Sequence, residues 1–274
     1  METYSKKLLE VDLTSKTAVT RQISEEVLRE YIGGTGLSAR ILMDETGPDT
    51  DPLGPENCLI FAAGPFTGTR VPSSGRHSVV AKSRLTGIWG ESDVGGRWGT
   101  ALAKAGYLAL SITGSSDTPA YITIDDDNVE IRDAGDLWGK DTYELDTVLK
   151  ERCGKKFHIA SIGPAGENHV PLAAIMHDGL AGRAAGRSGL GAVMGSKNLK
   201  AVVVSGPQAV QVVWPDELKN QLKPHGKRLA GNLSGLSAHG TSGDLMASER
   251  TGNLPLQNLS GILDSLKICK FVLY

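Results

Sequence analysis

An internal repeat limits what this chain can fold into more than any other feature of its sequence. A Gly-Pro pair followed by a Val-Pro pair occurs twice, as Gly64-Pro65 with Val71-Pro72 and as Gly163-Pro164 with Val170-Pro171. Both pairs recur at one offset, 99 residues (163 − 64 and 170 − 71). A period of about 95 residues is too long for a solenoid, so the sequence predicts two copies of one α/β unit. The alternative is a chance recurrence of two common dipeptides.

The second half of each unit repeats as well. Residues 98–114 align with residues 190–206 at an offset of 92 without a gap (190 − 98). Each copy is predicted to contain a strand, a Gly-Pro loop, a Val-Pro strand, a glycine-rich loop, a short helix and a last strand. The predicted fold class is α+β, with two β-sheets built from an internally duplicated α/β unit about a pseudo-twofold axis.

The duplicated part is predicted to form one domain over residues 1–210. Two β-hairpins are expected, at residues 8–22 and 121–132, because apolar and polar residues alternate on either side of a short polar turn. A polar helix is predicted to begin near Pro215, and residues 231–261 are rich in Gly, Ser and Asn. Residues 211–274 are therefore predicted to be a short, partly helical tail that starts another domain.

Composition and charge exclude several classes of protein. With 29 Lys and Arg against 31 Asp and Glu, the net charge is −2, which gives no basic field for nucleic acid. The longest apolar runs, residues 58–63 and 201–204, are far shorter than a membrane span. No apolar signal core follows Met1, which predicts a cytoplasmic protein. Three widely spaced cysteines argue against a disulfide framework and against a metal site made from this chain alone.

Glycine is the residue in excess, with 34 in 274 positions. Three clusters combine glycine with arginine, at residues 72–76, 93–97 and 182–191. Glycine lets backbone N–H groups approach an anion, and arginine binds phosphate oxygens through two parallel hydrogen bonds. These loops therefore predict a site for a phosphorylated cofactor. The alternative is that the glycines only allow the two repeats to pack closely while the arginines are surface cations.

Known nucleotide-binding motifs fit these loops poorly. Residues 189–195 approximate G-x-G-x-x-G, with one residue too many before the last glycine and a loop where a strand should precede. Gly195-Ser196-Lys197 has the lysine after the serine, unlike a P-loop. Nucleotide binding is therefore only a minor alternative.

The histidines and the acidic turn give weaker signals. None of the six histidines has a partner at zinc-site spacing. His77 and His177 lie near the glycine clusters, where they are either buried structural residues or groups that assist proton transfer. The acidic triplet at residues 125–127 is predicted to be a solvated turn, because no further carboxylates follow at calcium-ligand spacing.

Taken together, the motifs resemble those of the aldehyde ferredoxin oxidoreductase family. The resemblance runs from about Tyr4 to Gly206. Its most specific parts are Phe61-Ala62-Ala63-Gly64-Pro65, Ser161-Ile162-Gly163-Pro164-Ala165-Gly166-Glu167-Asn168, Arg183-Ala184-Ala185-Gly186-Arg187 and Gly191-Ala192-Val193-Met194-Gly195-Ser196-Lys197.

This resemblance implies an N-terminal domain on which a tungsten or molybdenum bis-pterin cofactor lies, with Mg²⁺ bridging the two pterin phosphates. By position, Arg76 corresponds to the arginine between the pterin and an iron–sulfur cluster. Asp93 stands where the family commonly has an asparagine that contacts the magnesium, and Ala184 would offer the magnesium a backbone carbonyl. The remaining cofactor-binding positions implied by the resemblance are Gly95, Arg183, Gly186 and Arg187.

The chain departs from the family pattern in its last part. The family binds a [4Fe–4S] cluster through a C-x-x-C-x-x-x-C run in later helical domains, and this chain has no such run; Cys269 has no partner at ligand spacing. Residues 211–274 are therefore interpreted as the truncated start of the helical C-terminal domain. No catalytic residue is assigned, because the family's acid–base residues lie in that missing part.

The resemblance implies an oxidoreductase that converts aldehydes to carboxylic acids and passes electrons through the cluster to ferredoxin. Its implied partners are an aldehyde and ferredoxin, without nucleic acid or membrane, and a homo-oligomer is compatible with it. The alternative function is a catalytically inactive remnant or a binding module that lacks the cluster domain.

Overall fold

The computed structural model describes residues 6–254. The first repeat contains six strands and three helices within that part of the chain. They are β1 (Lys7–Asp12), β2 (Thr17–Gln22), α1 (Glu25–Tyr31), α2 (Gly34–Glu45), β3 (Leu59–Ala63), β4 (His77–Lys82), β5 (Trp89–Val94), α3 (Trp98–Lys104) and β6 (Tyr107–Thr113).

The second repeat has the same strands in the same sequence order. They and its helices are β7 (Ala120–Asp125), β8 (Asn128–Asp133), α4 (Thr142–Cys153), β9 (His158–Ser161), α5 (Pro164–Glu167), β10 (Ile175–His177), β11 (Arg183–Ala185), α6 (Leu190–Ser196) and β12 (Leu199–Ser205). Short 3₁₀ turns occur at Gly135–Leu137 and Gly179–Ala181.

Each repeat builds its own mixed sheet of six described strands. The orders are β2-β1-β6-β3-β4-β5 and β8-β7-β12-β9-β10-β11, which are identical when β7 is matched with β1. In both sheets the first strand of the repeat runs parallel to the last, and every other pairing is antiparallel. The predicted α+β fold of two duplicated sheets is confirmed, and the repeat also includes the two hairpins.

The predicted Val-Pro strands are wrong. Val71-Pro72 and Val170-Pro171 lie outside any strand, and the strands that follow begin only at His77 and Ile175. Proline cannot donate a hydrogen bond to a strand ladder, so it interrupts pairing at both places.

Three layers of apolar side chains hold the sheets. The largest joins the inner faces of both sheets with α3 and α6, which lie between them. Trp98, fully buried on α3, donates its indole N–H to the backbone oxygen of Val202 on β12 at 3.0 Å. Two smaller layers pack α1 and α2 on the outside of the first sheet and α4 on the outside of the second.

Two buried cations also tie distant loops together. Lys197, at the end of α6, is fully buried and donates to the backbone oxygens of Pro55 (3.3 Å) and Gly114 (3.1 Å). Burial lowers the pKa of this ammonium to about 8. Lys200 pairs with the Glu167 carboxylate, which also accepts the backbone N–H of Gly139. Lys197 of Gly195-Ser196-Lys197, the run compared above with a P-loop, is therefore part of the core.

A second compact unit begins at Trp214 within the described part of the chain. Its elements are α7 (Pro215–Asn232), α8 (Ser234–His239), a 3₁₀ turn (Gly240–Asp244) and α9 (Leu245–Arg250). The interpretation of residues 1–210 and 211–274 as a cofactor domain and a truncated helical domain stays a prediction. Between residues 6 and 254, the structure contains no helix with the length and apolar character needed to span a bilayer.

His77 and His177 form a hydrogen-bonded pair inside the shared core. Their Nε2 atoms are 3.3 Å apart, and both rings lie against Trp98 and Phe61. His177 donates from Nδ1 to the backbone oxygen of Ile175 at 3.2 Å, so its Nε2 is the acceptor and His77 donates from Nε2. The Nδ1 atom of His77 is then left buried without a partner among the described residues.

Burial sets the protonation of this pair. It lowers the pKa of His77 well below its usual value, with help from the neighbouring His177, and it lowers the pKa of His177 to about 4. The unfolded chain therefore binds these protons at higher pH than the folded chain does. We expect the free energy of unfolding to fall as the pH drops from about 6.5 toward 4, by on the order of 3 kcal/mol for His177 alone.

Urea unfolding between pH 7.5 and 4.5 measures this effect. In the double variant His77→Gln with His177→Gln, most of the pH dependence should disappear, because amide side chains do not titrate. The matched control is His169→Gln, which changes an exposed histidine and should keep the pH dependence. Equal slopes for the double variant and the unmodified protein would show that the buried pair does not control stability.

Candidate functional site

The edge strands of the two sheets face each other and are joined by the loop that follows β11. The backbone N–H of Glu91 on β5 donates to Ser188 Oγ at 3.2 Å, and the Ser83 hydroxyl donates to the Ser188 carbonyl at 2.6 Å. Arg187 donates its backbone N–H to Ser92 Oγ at 3.3 Å. These bonds hold the glycine- and arginine-rich loop of the second repeat against the last strand of the first.

Asp93 and Ala184 occupy equivalent positions in the two repeats. Ala109 and Ala201 are equivalent in the sequence alignment of the two repeats. Asp93 lies three strands from Ala109 across the first sheet, and Ala184 lies three strands from Ala201 across the second. The register runs Ala109, Ala62, Ser78, Asp93 in the first sheet and Ala201, Ser161, Met176, Ala184 in the second. The pseudo-twofold axis therefore passes between Asp93 and Ala184.

A cavity of about 690 Å³ opens at this junction. Five of the seven residues predicted to bind a cofactor or metal line it together. They are Arg76, Asp93, Ala184, Gly186 and Arg187. Glu91 and Ser92 also line the cavity and were not predicted from the sequence. The signal available for Glu91 was its place two residues before Asp93, which puts both side chains on one face of the strand.

The charges in this cavity suit both a cation and an anion. Burial raises the pKa of Asp93, the like charge of Glu91 raises it further, and Arg76 opposes both effects. A divalent cation at Asp93 would relieve that repulsion, and backbone carbonyls are common hard ligands beside a carboxylate. The Arg76 and Arg187 guanidinium groups can bind phosphate oxygens on the same walls. Residues 6–254 hold no cluster of three His, Cys, Asp or Glu side chains that could bind a metal alone.

Arg183 and Gly95 lie elsewhere. Arg183 lines a second cavity of about 410 Å³, together with Gly96, Arg97 and Asp178. Because successive strand residues point to opposite faces, Arg183 and Ala184 cannot serve the same cavity with their side chains. Gly95 lies in the connection from β5 to α3 and is among the lining residues of neither cavity.

Gly96 is required by the packing at the wall of the smaller cavity. Its φ of +95° is in the region that favours glycine. A Cβ atom there would overlap Asp178 Oδ2 and lie 3.1 Å from Arg183 Cγ. Asp178 Oδ2 accepts the Arg97 backbone N–H at 2.6 Å, and its Oδ1 lies 3.3 Å from His158 Nδ1. Burial raises the pKa of Asp178, but His158 and the Arg97 N–H outweigh it, so the net shift is downward.

The other sequence candidates lie away from both cavities. Cys58 is fully buried with its thiol 2.9 Å from the Ser111 hydroxyl, and Cys153 ends α4; both are free thiols. Cys269 lies outside the described residues. In the acidic turn, Asp125 pairs with Lys156, as a solvated turn would.

The fold and these cavities define a duplicated α+β domain with two arginine-lined cavities where its repeats meet. Residues 8–206 match the family described as aldehyde ferredoxin oxidoreductase, N-terminal domain, and the chain belongs to that family.

Several relatives share this part of the chain. It is 50% identical over 210 residues to a tungsten-containing aldehyde ferredoxin oxidoreductase of Pyrococcus abyssi, covering 76% of this chain and 34% of the relative. It is 42% identical over 256 residues to that of Pyrococcus furiosus, covering 92% and 42%. An aliphatic sulfonate oxidoreductase WOR-like subunit of Pyrococcus furiosus is 41% identical over 234 residues, covering 79% and 37%.

A solved structure has the same fold. It is the active-site complex BamBC of benzoyl coenzyme A reductase with 1,5-dienoyl-CoA, at a TM-score of 0.80 and 38% identity. The similarity covers 84% of this chain and 36% of that one. The chain thus spans roughly a third to two fifths of the length of the relatives that it matches.

The Gly96→Ala substitution tests the packing of Gly96 against Asp178 and Arg183. Any alanine at a positive φ costs some stability. We expect Gly96→Ala to lower the free energy of unfolding by roughly 2 kcal/mol more than that, because the methyl group displaces the Asp178 carboxylate. The matched control is Gly139→Ala, where φ is +87° and a Cβ atom meets open space. Chemical denaturation of both variants gives the difference, and an equal loss in the two would contradict the steric role of Gly96.

Proposed function

We propose that this chain is the N-terminal, cofactor-binding part of a tungsten-pterin aldehyde:ferredoxin oxidoreductase. The whole enzyme would oxidise aldehydes to carboxylic acids and pass the electrons through a [4Fe–4S] cluster to ferredoxin. The observation that carries the proposal is the cavity at the pseudo-twofold axis, where Arg76, Asp93 and Arg187 meet on the walls.

The symmetry of the site fits a cofactor made of two pterins. The larger cavity combines β5 with Gly186 and Arg187, which follow β11. The smaller cavity combines Arg183 of β11 with Gly96 and Arg97, which follow β5. Each cavity therefore uses the edge strand of one repeat and the next loop of the other, which matches two equivalent halves of one ligand.

The residues present would bind such a cofactor in distinct ways. Asp93 and the backbone carbonyl of Ala184 would hold the Mg²⁺ that accompanies such a cofactor. Arg76 and Arg187 would bind the anionic part of the cofactor in the larger cavity, and Arg183 would do so in the smaller one. The bound metal would supply the two-electron chemistry, while this domain orients the pterins.

The aldehyde substrate is supported by the names of four relatives. Four tungsten-containing aldehyde ferredoxin oxidoreductases are 42–50% identical to the chain. The sulfonate oxidoreductase subunit shows that the shared domain also occurs with another substrate, which fits a domain that holds the cofactor and does not select the substrate. Molybdenum is the alternative metal, since the same pterin site would bind either.

A second candidate is a cofactor-binding module that does not turn over by itself. It is favoured by the positions of Cys58 and Cys153, neither of which lies on either cavity. In that case the cluster would have to come from another polypeptide.

Metal content tests the proposal. The double variant Arg76→Ala with Arg187→Ala, purified from a host that makes the tungsten-pterin cofactor, should contain roughly tenfold less tungsten than the unmodified chain, because both cation contacts are lost. The matched control is Arg84→Ala, an exposed arginine that lines neither cavity.

Elemental analysis gives the tungsten to protein ratio, and circular dichroism verifies folding. Equal tungsten in the double variant and the control would overturn the assignment. Aldehyde-dependent reduction of a viologen dye by the protein isolated from its own source separates the two candidates: turnover supports the enzyme, whereas bound tungsten without turnover supports the module.

A further inference from the structure

The smaller cavity extends beyond the loops assigned to the cofactor. In addition to Gly96, Arg97 and Arg183, it is lined by residues of the second repeat, from α4 and from the loop that leads into β9. Among them are Lys150, Lys155 and His158. We call this extended cavity the Lys155 cleft.

The acidic groups at the Lys155 cleft already have partners. Asp178, the only carboxylate among its lining residues, accepts the Arg97 backbone N–H and faces His158 Nδ1. Lys150 forms an ion pair with Asp146 one turn earlier on α4, at 2.6 Å. Asp146 balances the charge of Lys150, which leaves the single Asp178 carboxylate against the remaining cations of the cleft.

Three cationic side chains in the cleft lack such compensation. Arg97, Lys155 and Arg183 form no ion pair with a described carboxylate. The whole chain has a net charge of only −2, so this concentration of positive charge is local. Like charges grouped around a concave surface raise the local concentration of anions.

We propose that the Lys155 cleft binds a phosphate group, with Arg97, Lys155 and Arg183 as its ligands. Two guanidinium groups and one ammonium match the charge and the several oxygens of a phosphate dianion better than those of a single carboxylate. A volume of about 410 Å³ suits a small phosphorylated molecule and is too small for a macromolecule. The phosphate can belong to the cofactor or to a free ligand.

Lys155 and Lys156 provide a matched pair of variants. They are neighbours with the same charge, but Lys155 lines the cleft, whereas Lys156 pairs with Asp125 outside it. We expect inorganic pyrophosphate to bind the cofactor-free chain, and Lys155→Gln to weaken its affinity roughly tenfold through loss of one charge-assisted hydrogen bond. Lys156→Gln should leave the affinity unchanged.

Isothermal titration calorimetry of the full chain at one ionic strength gives these affinities. Absence of pyrophosphate binding, or equal weakening in the Lys155 and Lys156 variants, would overturn the proposal, since the latter would mean only a general effect of net charge. Arg97→Gln provides a second test on another wall of the cleft and should weaken binding as well.

Comparison of cofactor-free and tungsten-loaded protein identifies the source of the phosphate. If the cofactor supplies it, the loaded protein should no longer bind pyrophosphate; if a free ligand supplies it, both forms should bind equally. The inference does not rest on the tungsten assignment. Arg84→Ala, which removes an exposed arginine outside both cavities, should leave pyrophosphate affinity intact. Pyrophosphate binding that is weakened by Arg76→Ala and not by Lys155→Gln would lie in the larger cavity and would overturn the proposal.

Discussion

Burial of one apolar layer between the two sheets is the constraint on which the rest of the structure depends. Neither sheet can shield its inner face alone, so α3 and α6 fill the space between them and contact strands of both repeats. Glycines allow this close approach: a Cβ atom at Gly99 would lie 2.6 Å from His77 Nδ1, and one at Gly206 would overlap the backbone of Ala105. Gly99 and Gly206, which lie outside the three glycine- and arginine-rich clusters, therefore serve packing.

The repeat allowed the architecture of two similar sheets to be predicted, because duplicated segments fold into the same strand order. Once residues 98–114 align with residues 190–206, the same apolar pattern must build the same sheet twice. Details that depend on register could not be obtained in this way. The sequence offset between the copies is 99 residues at the Gly-Pro pairs and 92 residues at the last helix and strand. In the edge strands, equivalent residues are 91 positions apart (184 − 93). Arg183 and Arg187 belong to one glycine- and arginine-rich segment of the sequence. In the structure, Arg183 lies in β11 and Arg187 follows it, and the two line different cavities.

Buried polar groups were the hardest feature to foresee. His77 and His177 are 100 residues apart (177 − 77), a spacing close to that of the repeat, but they are not equivalent in the two sheets. His77 pairs with Val94, and the residue that pairs with the equivalent Ala185 is Ile175. The contact between His77 and His177 results from packing across the core and not from symmetry. Lys197 likewise gives no sign in the sequence that its ammonium lies within the core and bonds only to carbonyls. Such contacts join segments far apart in sequence, so local patterns carry no information on them.

The two repeats share a backbone but have diverged where they meet. Asp93 and Ala184 are equivalent in register, yet one presents a carboxylate and the other only a methyl group and its backbone. By the same register, Arg76 corresponds to Ala174. A ligand with two equal halves would thus meet a carboxylate and an arginine on one side and the cations of the Lys155 cleft on the other. Duplication supplies the symmetric frame, and divergence of its side chains would give the two halves of the proposed cofactor different electrostatic surroundings.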